Sequence, residues 1–167
     1  LGFDLGASDF KISDVKKGKV VFSEEFPWDP RNQSDPEYHY SKLNEGLKKA
    51  AAKLPRVDAI GGSTAGVVVD NRIQVASLFR AVPQERYAEA QNMFLRLGKE
   101  WNVPIEGAND GDVTALAGLM SLGKKGILGV AMGSSEAGGF VDRKGCLTGR
   151  LAELAFAPVA LHPAAPA

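Results

Sequence analysis

The stretch Leu1-Gly-Phe-Asp-Leu-Gly-Ala-Ser-Asp-Phe-Lys11 decides the fold of this chain. Leu1, Phe3 and Leu5 alternate with smaller or polar residues, which is the pattern of a β-strand with one buried face. A glycine-containing corner follows, and a second strand begins at Phe10. The opening therefore predicts a strand, a tight corner and a returning strand.

Small and polar residues at this corner suit a phosphate and a magnesium ion. Gly6 and Ala7 have almost no side chain, so a phosphate could approach their backbone amides closely. Asp4 ends the strand, where its carboxylate could hold Mg²⁺, usually through water. Ser8 adds a hydroxyl donor and Lys11 a positive charge. Taken alone, however, an ordinary hairpin turn explains this corner more simply.

The composition narrows the class of protein. The 167 residues include 20 basic and 20 acidic side chains, and this balance gives no electrostatic footprint for a nucleic acid or membrane partner. Cys146 is the single cysteine and His39 and His162 are the two histidines, so we expect neither an internal disulfide nor a zinc site within this chain. A reducing, cytoplasmic location is the expectation.

The order of elements predicts an α/β fold. Residues 1–26 show three alternating segments, and Ser34-Asp-Pro-Glu37 has the composition of a helix start. The third helix is expected to bury Val113, Leu116, Ala117 and Met120. The other elements follow from periodicity and from glycine and proline breaks: strands at 57–60, 67–69, 103–106 and from 127 onward, and helices to residue 54, at 84–101 and at 110–123.

Strands resume at residue 127, which suggests a second lobe. We expect an α/β three-layer domain with a mixed sheet over residues 1–123 and the first strands of a similar, truncated lobe over 124–167. The chain begins inside a strand and ends in an irregular Pro/Ala segment, so we expect it to be a fragment.

Two further motifs favour a phosphate-binding role for the corner at Asp4 to Ser8 over a plain hairpin turn. Asn109-Asp110 lies at a predicted strand-to-helix junction. Gly133-Ser134-Ser135 forms a small-residue turn between two predicted strands, and Gly138-Gly139 follows it. The glycines of Gly61-Gly-Ser-Thr-Ala-Gly66 suit a backbone that passes near a ligand or another strand, and a packed turn explains them equally well.

These motifs, in this order, resemble those of the actin-like ATPase and sugar-kinase superfamily, which has a ribonuclease H-like core. Within it they resemble the ROK family of repressors, open reading frames and sugar kinases. The matching segments are Asp4-Leu-Gly-Ala-Ser8, Ser63-Thr-Ala-Gly-Val-Val68, Asn109 to Gly118, Gly133 to Gly139 and Ala152-Glu153.

The resemblance implies an ATP- and Mg²⁺-dependent sugar kinase, with sugar and nucleotide meeting between two lobes. Asp110 would be the general base that takes the proton from the sugar hydroxyl. The remaining roles it implies are substrate binding by Gly66, Asn109 and Glu153, Mg²⁺ positioning by Asp4, and phosphate binding by Gly6, Ala7, Ser8, Lys11, Gly133, Ser134 and Ser135.

Simpler explanations stay open for each of these positions. Asp110 could be only a helix N-cap, Glu153 a solvated surface carboxylate and the second glycine turn a plain hairpin loop. Asp9 stands where the family has a lysine, Glu136 lies among the turn glycines, and Phe156 replaces a histidine that often binds sugar and zinc. A non-catalytic sugar-sensing regulator and a structural actin-like ATPase are therefore alternatives, and a homodimer is left open.

Overall fold

A mixed five-stranded sheet forms the centre of the molecule. The computed structural model describes residues 1–133, 135–149 and 153–154. The strands of this sheet lie in the order β3-β2-β1-β4-β7, and β5 and β6 form a separate two-stranded sheet. Their bounds are β1 Gly2–Leu5, β2 Asp9–Lys16, β3 Lys19–Pro27, β4 Ile60–Thr64, β5 Val67–Val69, β6 Arg72–Val75 and β7 Ile105–Asn109.

The sheet combines the two kinds of strand pairing that the sequence predicts. Strands β1, β2 and β3 pair antiparallel as a meander, whereas β4 pairs parallel with β1 and with β7. Asp4 lies beside Ser63, and Thr64 lies beside Asn109, in these registers. The carboxyl ends of β1, β4 and β7 therefore meet at one edge of the sheet, where ligands bind in open α/β folds.

Four α-helices complete the described fold: α1 Pro36–Ala51, α2 Tyr87–Gln91, α3 Met93–Trp101 and α4 Asp110–Leu122. Asp35 caps α1, and its carboxylate accepts a hydrogen bond of 3.1 Å from the backbone N–H of Glu37. The apolar sides of α1 and α3 cover the sheet through Leu43, Leu47, Phe94 and Leu97, all fully buried. Among the described residues, no helix has the length and apolar character needed to cross a membrane.

A second small sheet lies against α4 and does not join the main sheet. It consists of the antiparallel strands β8 Ile127–Met132 and β9 Glu136–Val141. Gly123 ends α4 in the left-handed conformation, with φ of 62°, as expected for a helix C-cap. The separate sheet after residue 123 is compatible with the expected start of a second lobe.

Three expectations about elements need correction. The helix predicted over 84–101 begins as a 3-10 turn and is interrupted at Asn92, whose side chain donates to the carbonyl of Ala88 at 2.7 Å. The strand expected at 57–60 instead runs over β4, so the glycine-rich segment Gly61–Thr64 is strand. In the same way, the strand expected at 103–106 runs over β7 to Asn109.

The predicted apolar face of α4 is also wrong. Gly111 and Ala115 are the buried residues of this helix, whereas Met120 is 77% exposed. The small β8–β9 sheet packs so closely on α4 that only small residues fit between them. The buried face of α4 is therefore defined by small residues, and a search for periodic hydrophobic residues does not detect it.

Candidate active site

One cavity of about 620 Å³ lies where the carboxyl edge of the main sheet faces α4 and the β8–β9 turn. Residues from all three sequence motifs line it. From the predicted site these are Asp4, Gly6, Ala7, Lys11, Asp110, Gly133 and Ser135. The carboxyl of Asp110 therefore shares a cavity with the opening glycine corner, as the two-lobe interpretation requires.

The corner after β1 is a tight, pinned loop. The Gly6 N–H donates to the Asp9 carbonyl at 2.9 Å, and the Trp28 indole N–H donates to the Gly6 carbonyl at 2.9 Å. The Ser63 hydroxyl hydrogen-bonds to one carboxylate oxygen of Asp4. Asp4 lines the cavity, and a carboxylate oxygen is the kind of ligand that Mg²⁺ prefers, so this residue fits the expected metal role.

The polar side chains of the same corner are partly engaged with one another. Lys11 Nζ lies 3.3 Å from Asp9 Oδ1 and 3.8 Å from Glu25 Oε2, and its hydrogen bond to Asp9 raises the pKa of the ammonium. The Ser8 hydroxyl donates to Asp9 Oδ2 at 2.9 Å, and Ser8 is not among the residues that line the cavity. Ser8 and Lys11, two of the predicted phosphate-binding residues, therefore both interact with Asp9.

Asn109 and Asp110 have different roles at the junction between β7 and α4. Asn109 is the N-cap of α4, and its side-chain oxygen accepts from the Gly111 N–H at 2.9 Å. Asp110 is the first residue of the helix, so capping does not account for its carboxylate. Its Oδ1 also accepts from the Gly111 N–H, at 3.0 Å.

The electrostatic surroundings of Asp110 favour a proton. Burial, then the negative charge of Glu153, and more weakly that of Asp4, raise the pKa of Asp110 to about 6 against a lowering by the Gly111 amide. A carboxylate with such a pKa is half-ionised near pH 6 and mostly ionised at neutral pH, so it can accept a proton as a base and release it again.

Glu153 ties two loops to the Asn109 side chain. Its Oε1 accepts from the Gly66 N–H and, at 3.2 Å, from the Asn109 amide, and its Oε2 accepts from the Ser135 hydroxyl at 3.3 Å. The Asn109 amide also donates to the Gly66 carbonyl at 2.7 Å. Gly66, Asn109 and Glu153 therefore form one hydrogen-bonded group beside the cavity, although none of them is among its lining residues.

The second glycine motif divides into a turn and a packing surface. Gly133 and Ser135 lie in the β8–β9 turn at the cavity, with the Gly133 N–H donating to the Ser135 carbonyl at 3.1 Å. Ser134 lies outside the described residues. A Cβ atom on Gly139 would lie 2.3 Å from the Cα atom of Asp112, so this glycine permits the contact with α4.

Arg31 is a cavity residue that the sequence motifs do not reveal. It lies in the 3-10 turn Pro30–Asn32 after β3, and the chain segment Ser77–Leu78 lines the same side of the cavity. The fully buried His39 joins these two segments, with Nε2 at 2.9 Å from the Pro30 carbonyl and 3.3 Å from the Leu78 carbonyl. Because both neighbours are acceptors, Nε2 carries the proton. A lone histidine in a helix gave no signal of this role.

Comparisons with known proteins identify the fold. A scan against protein-family models and a search of curated proteins gave no match. Among solved structures, the ROK hexokinase from Thermus thermophilus matches with a TM-score of 0.66 and 20% identity, over 87% of this chain and 46% of that chain. A ROK family transcriptional regulator, a homologue of the E. coli MLC protein, matches with a TM-score of 0.67 and 20% identity, over 91% and 38%.

The chain has the fold of the ROK proteins that it matches. A member of the Ppx/GppA family from Aquifex aeolicus also matches, with a TM-score of 0.55 and 18% identity, over 92% of this chain and 49% of that chain. The chain spans about half the length of the ROK kinase structures that it matches. The ROK-like fold that the motifs predict is thus confirmed, and identities of this size speak for the fold alone.

Proposed function

We propose that this chain supplies the nucleotide- and sugar-binding cavity of an ATP-dependent sugar kinase, which transfers the γ-phosphate of ATP to a hydroxyl of a hexose or related sugar. The observation that carries the proposal is that Asp110, Asp4 and both glycine turns line one cavity. Residues 1–123 form the N-terminal lobe in this proposal and residues 124–167 begin the second.

The cavity residues divide the work of phosphoryl transfer. Asp110 accepts the proton of the attacking hydroxyl, with its pKa near 6 suited to that exchange at neutral pH. Bound Mg²⁺ would neutralise phosphate charge, and Asp4 would hold it, usually through water. Gly6, Ala7, Gly133 and Ser135 line the same space, and their small side chains would let phosphate oxygens come close to the backbone there.

The substrate side of the proposal rests on the group formed by Gly66, Asn109 and Glu153. Asn109 and Glu153 would hydrogen-bond sugar hydroxyls, and Gly66 would let the sugar approach the backbone. Their existing hydrogen bonds hold these polar atoms in place before a sugar arrives, which lowers the ordering cost of binding. A cytoplasmic protein acting on small molecules, without a nucleic acid or membrane partner, fits this proposal.

The experiment compares wild type with Asp110→Asn in the full-length protein with both proposed lobes, in a coupled assay of ADP release over hexoses, N-acetylated amino sugars and polyols. We expect Asp110→Asn to reduce turnover at least about 100-fold, because general-base catalysis contributes 10²–10⁴-fold, while sugar affinity stays nearly unchanged. The exposed Asp58→Asn is the matched control. Equal turnover by Asp110→Asn and wild type would refute the assigned base.

A non-catalytic sugar-sensing regulator on the same fold is the second candidate. Asp9 favours it, since a carboxylate stands beside the expected phosphate loop and pairs with Lys11. The two candidates separate in one measurement: a regulator binds sugar without consuming ATP, and Asp110→Asn then leaves its function unchanged.

A further inference from the structure

Arg31 carries a buried guanidinium nitrogen at the cavity wall. Its Nε atom is buried and has no hydrogen-bond partner within the described part of the chain. The residue lines the cavity together with Asp4, Gly6 and Ala7. Because the described chain leaves this donor unsatisfied, the guanidinium of Arg31 is not committed to a partner within the protein, and its other N–H donors can engage an acceptor that enters the cavity.

The turn that carries Arg31 is held in place from several sides. His39 donates to the Pro30 carbonyl at 2.9 Å, and Arg80 Nε donates to the Arg31 carbonyl at 3.3 Å. The Asn32 amide donates to the Asp29 carboxylate at 2.9 Å. The backbone at Arg31 is therefore ordered before a ligand binds, which reduces the entropy lost on binding.

The distribution of charge makes Arg31 the cation available to a ligand. Asp4, Asp9 and Asp110 line the cavity, and Lys11 is paired with Asp9 at 3.3 Å. Arg31 forms no ion pair with any carboxylate over residues 1–133, 135–149 and 153–154. The positive charge available to an anionic ligand in this acidic cavity therefore lies at Arg31 and not at Lys11.

We propose that Arg31 binds a phosphate group of the ligand that occupies the cavity. A guanidinium fits this role because its fork of N–H donors matches two oxygens of a phosphate. The inference deepens the proposed function and rests on it for the ligand class, since phosphate could come from the nucleotide or from a phosphorylated sugar. Arg31 would thus supply the positive charge of the lysine that the family has at the position of Asp9.

The test measures binding by isothermal titration calorimetry for wild type, Arg31→Gln, Arg31→Lys and the exposed control Arg143→Gln. The probes are magnesium tripolyphosphate, Mg-ATP, glucose 6-phosphate and neutral glucose. We expect Arg31→Gln to weaken phosphate binding about tenfold or more, because hydrogen bonds to charged groups have that value. Arg31→Lys, which keeps the charge and loses the fork, should weaken it less, and Arg143→Gln should not weaken it.

The outcomes distinguish the phosphate source and the proposed function. A loss for tripolyphosphate and Mg-ATP assigns Arg31 to the nucleotide, and a loss confined to glucose 6-phosphate assigns it to the sugar; both support the inference. Unchanged affinity for every phosphate probe in both Arg31 variants would overturn it, as would a wild-type chain that binds none of them. Arg31-dependent phosphate binding without transfer to any sugar by the full-length protein would remove the kinase and leave the inference standing.

Discussion

At the scale of single residues, Asp110 shows how one position combines geometry and electrostatics. The first turn of a helix normally favours a carboxylate, because the backbone N–H groups and the helix dipole stabilise negative charge. Here burial and the charges of Glu153 and Asp4 outweigh that effect and raise the pKa to about 6. The proton affinity of Asp110 therefore depends on a residue 43 positions later in the chain.

Substitution of Glu153 by Gln should lower the pKa of Asp110 toward its usual range. Glutamine removes the negative charge that disfavours ionisation of Asp110, while its side-chain oxygen can still accept from the Gly66 N–H. A carbon-detected NMR titration of the Asp110 carboxyl measures the pKa directly. In an active enzyme, the acidic limb of the pH–rate profile near pH 6 should move to lower pH as well.

The exposed Glu106→Gln is the control for this titration, and it should leave the Asp110 midpoint in place. A midpoint that stays or rises in Glu153→Gln would contradict the assigned interaction between the two carboxylates.

Asp14 is a second unusual carboxylate, and it has no part in the cavity. It is fully buried on β2, neither of its oxygens has a hydrogen-bond partner among the described residues, and burial raises its pKa. A raised pKa means that the folded state holds the proton more tightly than the unfolded state. Its penalty is therefore absent at low pH and grows as pH rises through the unfolded and then the folded pKa.

Substitution of Asp14 by Asn should raise the free energy of unfolding by about 1 kcal/mol at pH 7, since it removes a buried charge at nearly constant volume. Urea unfolding at pH 7 and at pH 4 measures the effect, and the gain should shrink at pH 4 because the raised pKa keeps more of the folded-state Asp14 protonated and uncharged at the lower pH. A stability change that is equal at both pH values would show that the charge is not its cause.

At the scale of elements, the contact between α4 and the β8–β9 sheet depends on residues without side chains. A Cβ atom at Gly139 would lie 2.3 Å from the Asp112 Cα atom, and one at Gly129 would lie 2.3 Å from the Ala115 nitrogen. These neighbours are backbone atoms of α4, which cannot move aside as a flexible side chain can. The small sheet therefore sits on the helix at a distance that no larger residue permits.

Gly139→Ala should lower the free energy of unfolding by about 2 kcal/mol or more, because overpacking against backbone forces the elements apart. Gly61→Ala is the matched control: it is also a strand glycine, and a Cβ atom there meets no atom within 4 Å. Urea unfolding of both variants measures the difference. Equal stability of the two would contradict the close contact.

Some secondary-structure elements could be predicted from the sequence and others could not, and the difference lies in how local their signals are. The β1–β3 meander and the start of α1 were predictable because alternation and capping are local signals. The buried face of α4 was not, because residue size at a tight contact carries no hydrophobic period. The break at Asn92 was also missed, since its side chain competes locally with the helix hydrogen bonds.

The candidate site shows the same division at longer range. The motif positions Asp4 and Asp110 both line the cavity, because they lie at the carboxyl ends of β1 and β7, which pair parallel with the two sides of β4. Arg31 could not be found from the sequence, since its place depends on how His39 joins two irregular segments. Local patterns thus locate the strand ends, and the loops that complete the cavity require the folded structure.

At the scale of the whole molecule, the cavity is the place where two separate sheets come together. Residues of the main sheet line one side, and the β8–β9 turn lines another. The small sheet reaches the rest of the structure through α4 and through the hydrogen bonds of Glu153 to Gly66 and Ser135. A ligand that contacts both sides would therefore bridge them and hold the small sheet in place.

Binding of Mg-ATP or of the sugar should slow amide hydrogen exchange in β8 and β9 more than in β2 and β3. A ligand at 100 times its dissociation constant stabilises the state that binds it by about 2.7 kcal/mol, which corresponds to about 100-fold slower exchange where opening requires ligand release. Asp4→Asn should remove the protection by Mg-ATP and keep the protection by sugar, because Asp4 is assigned to the metal alone. Uniform protection of all strands, or none in β8 and β9, would show that the ligand does not join the two sheets.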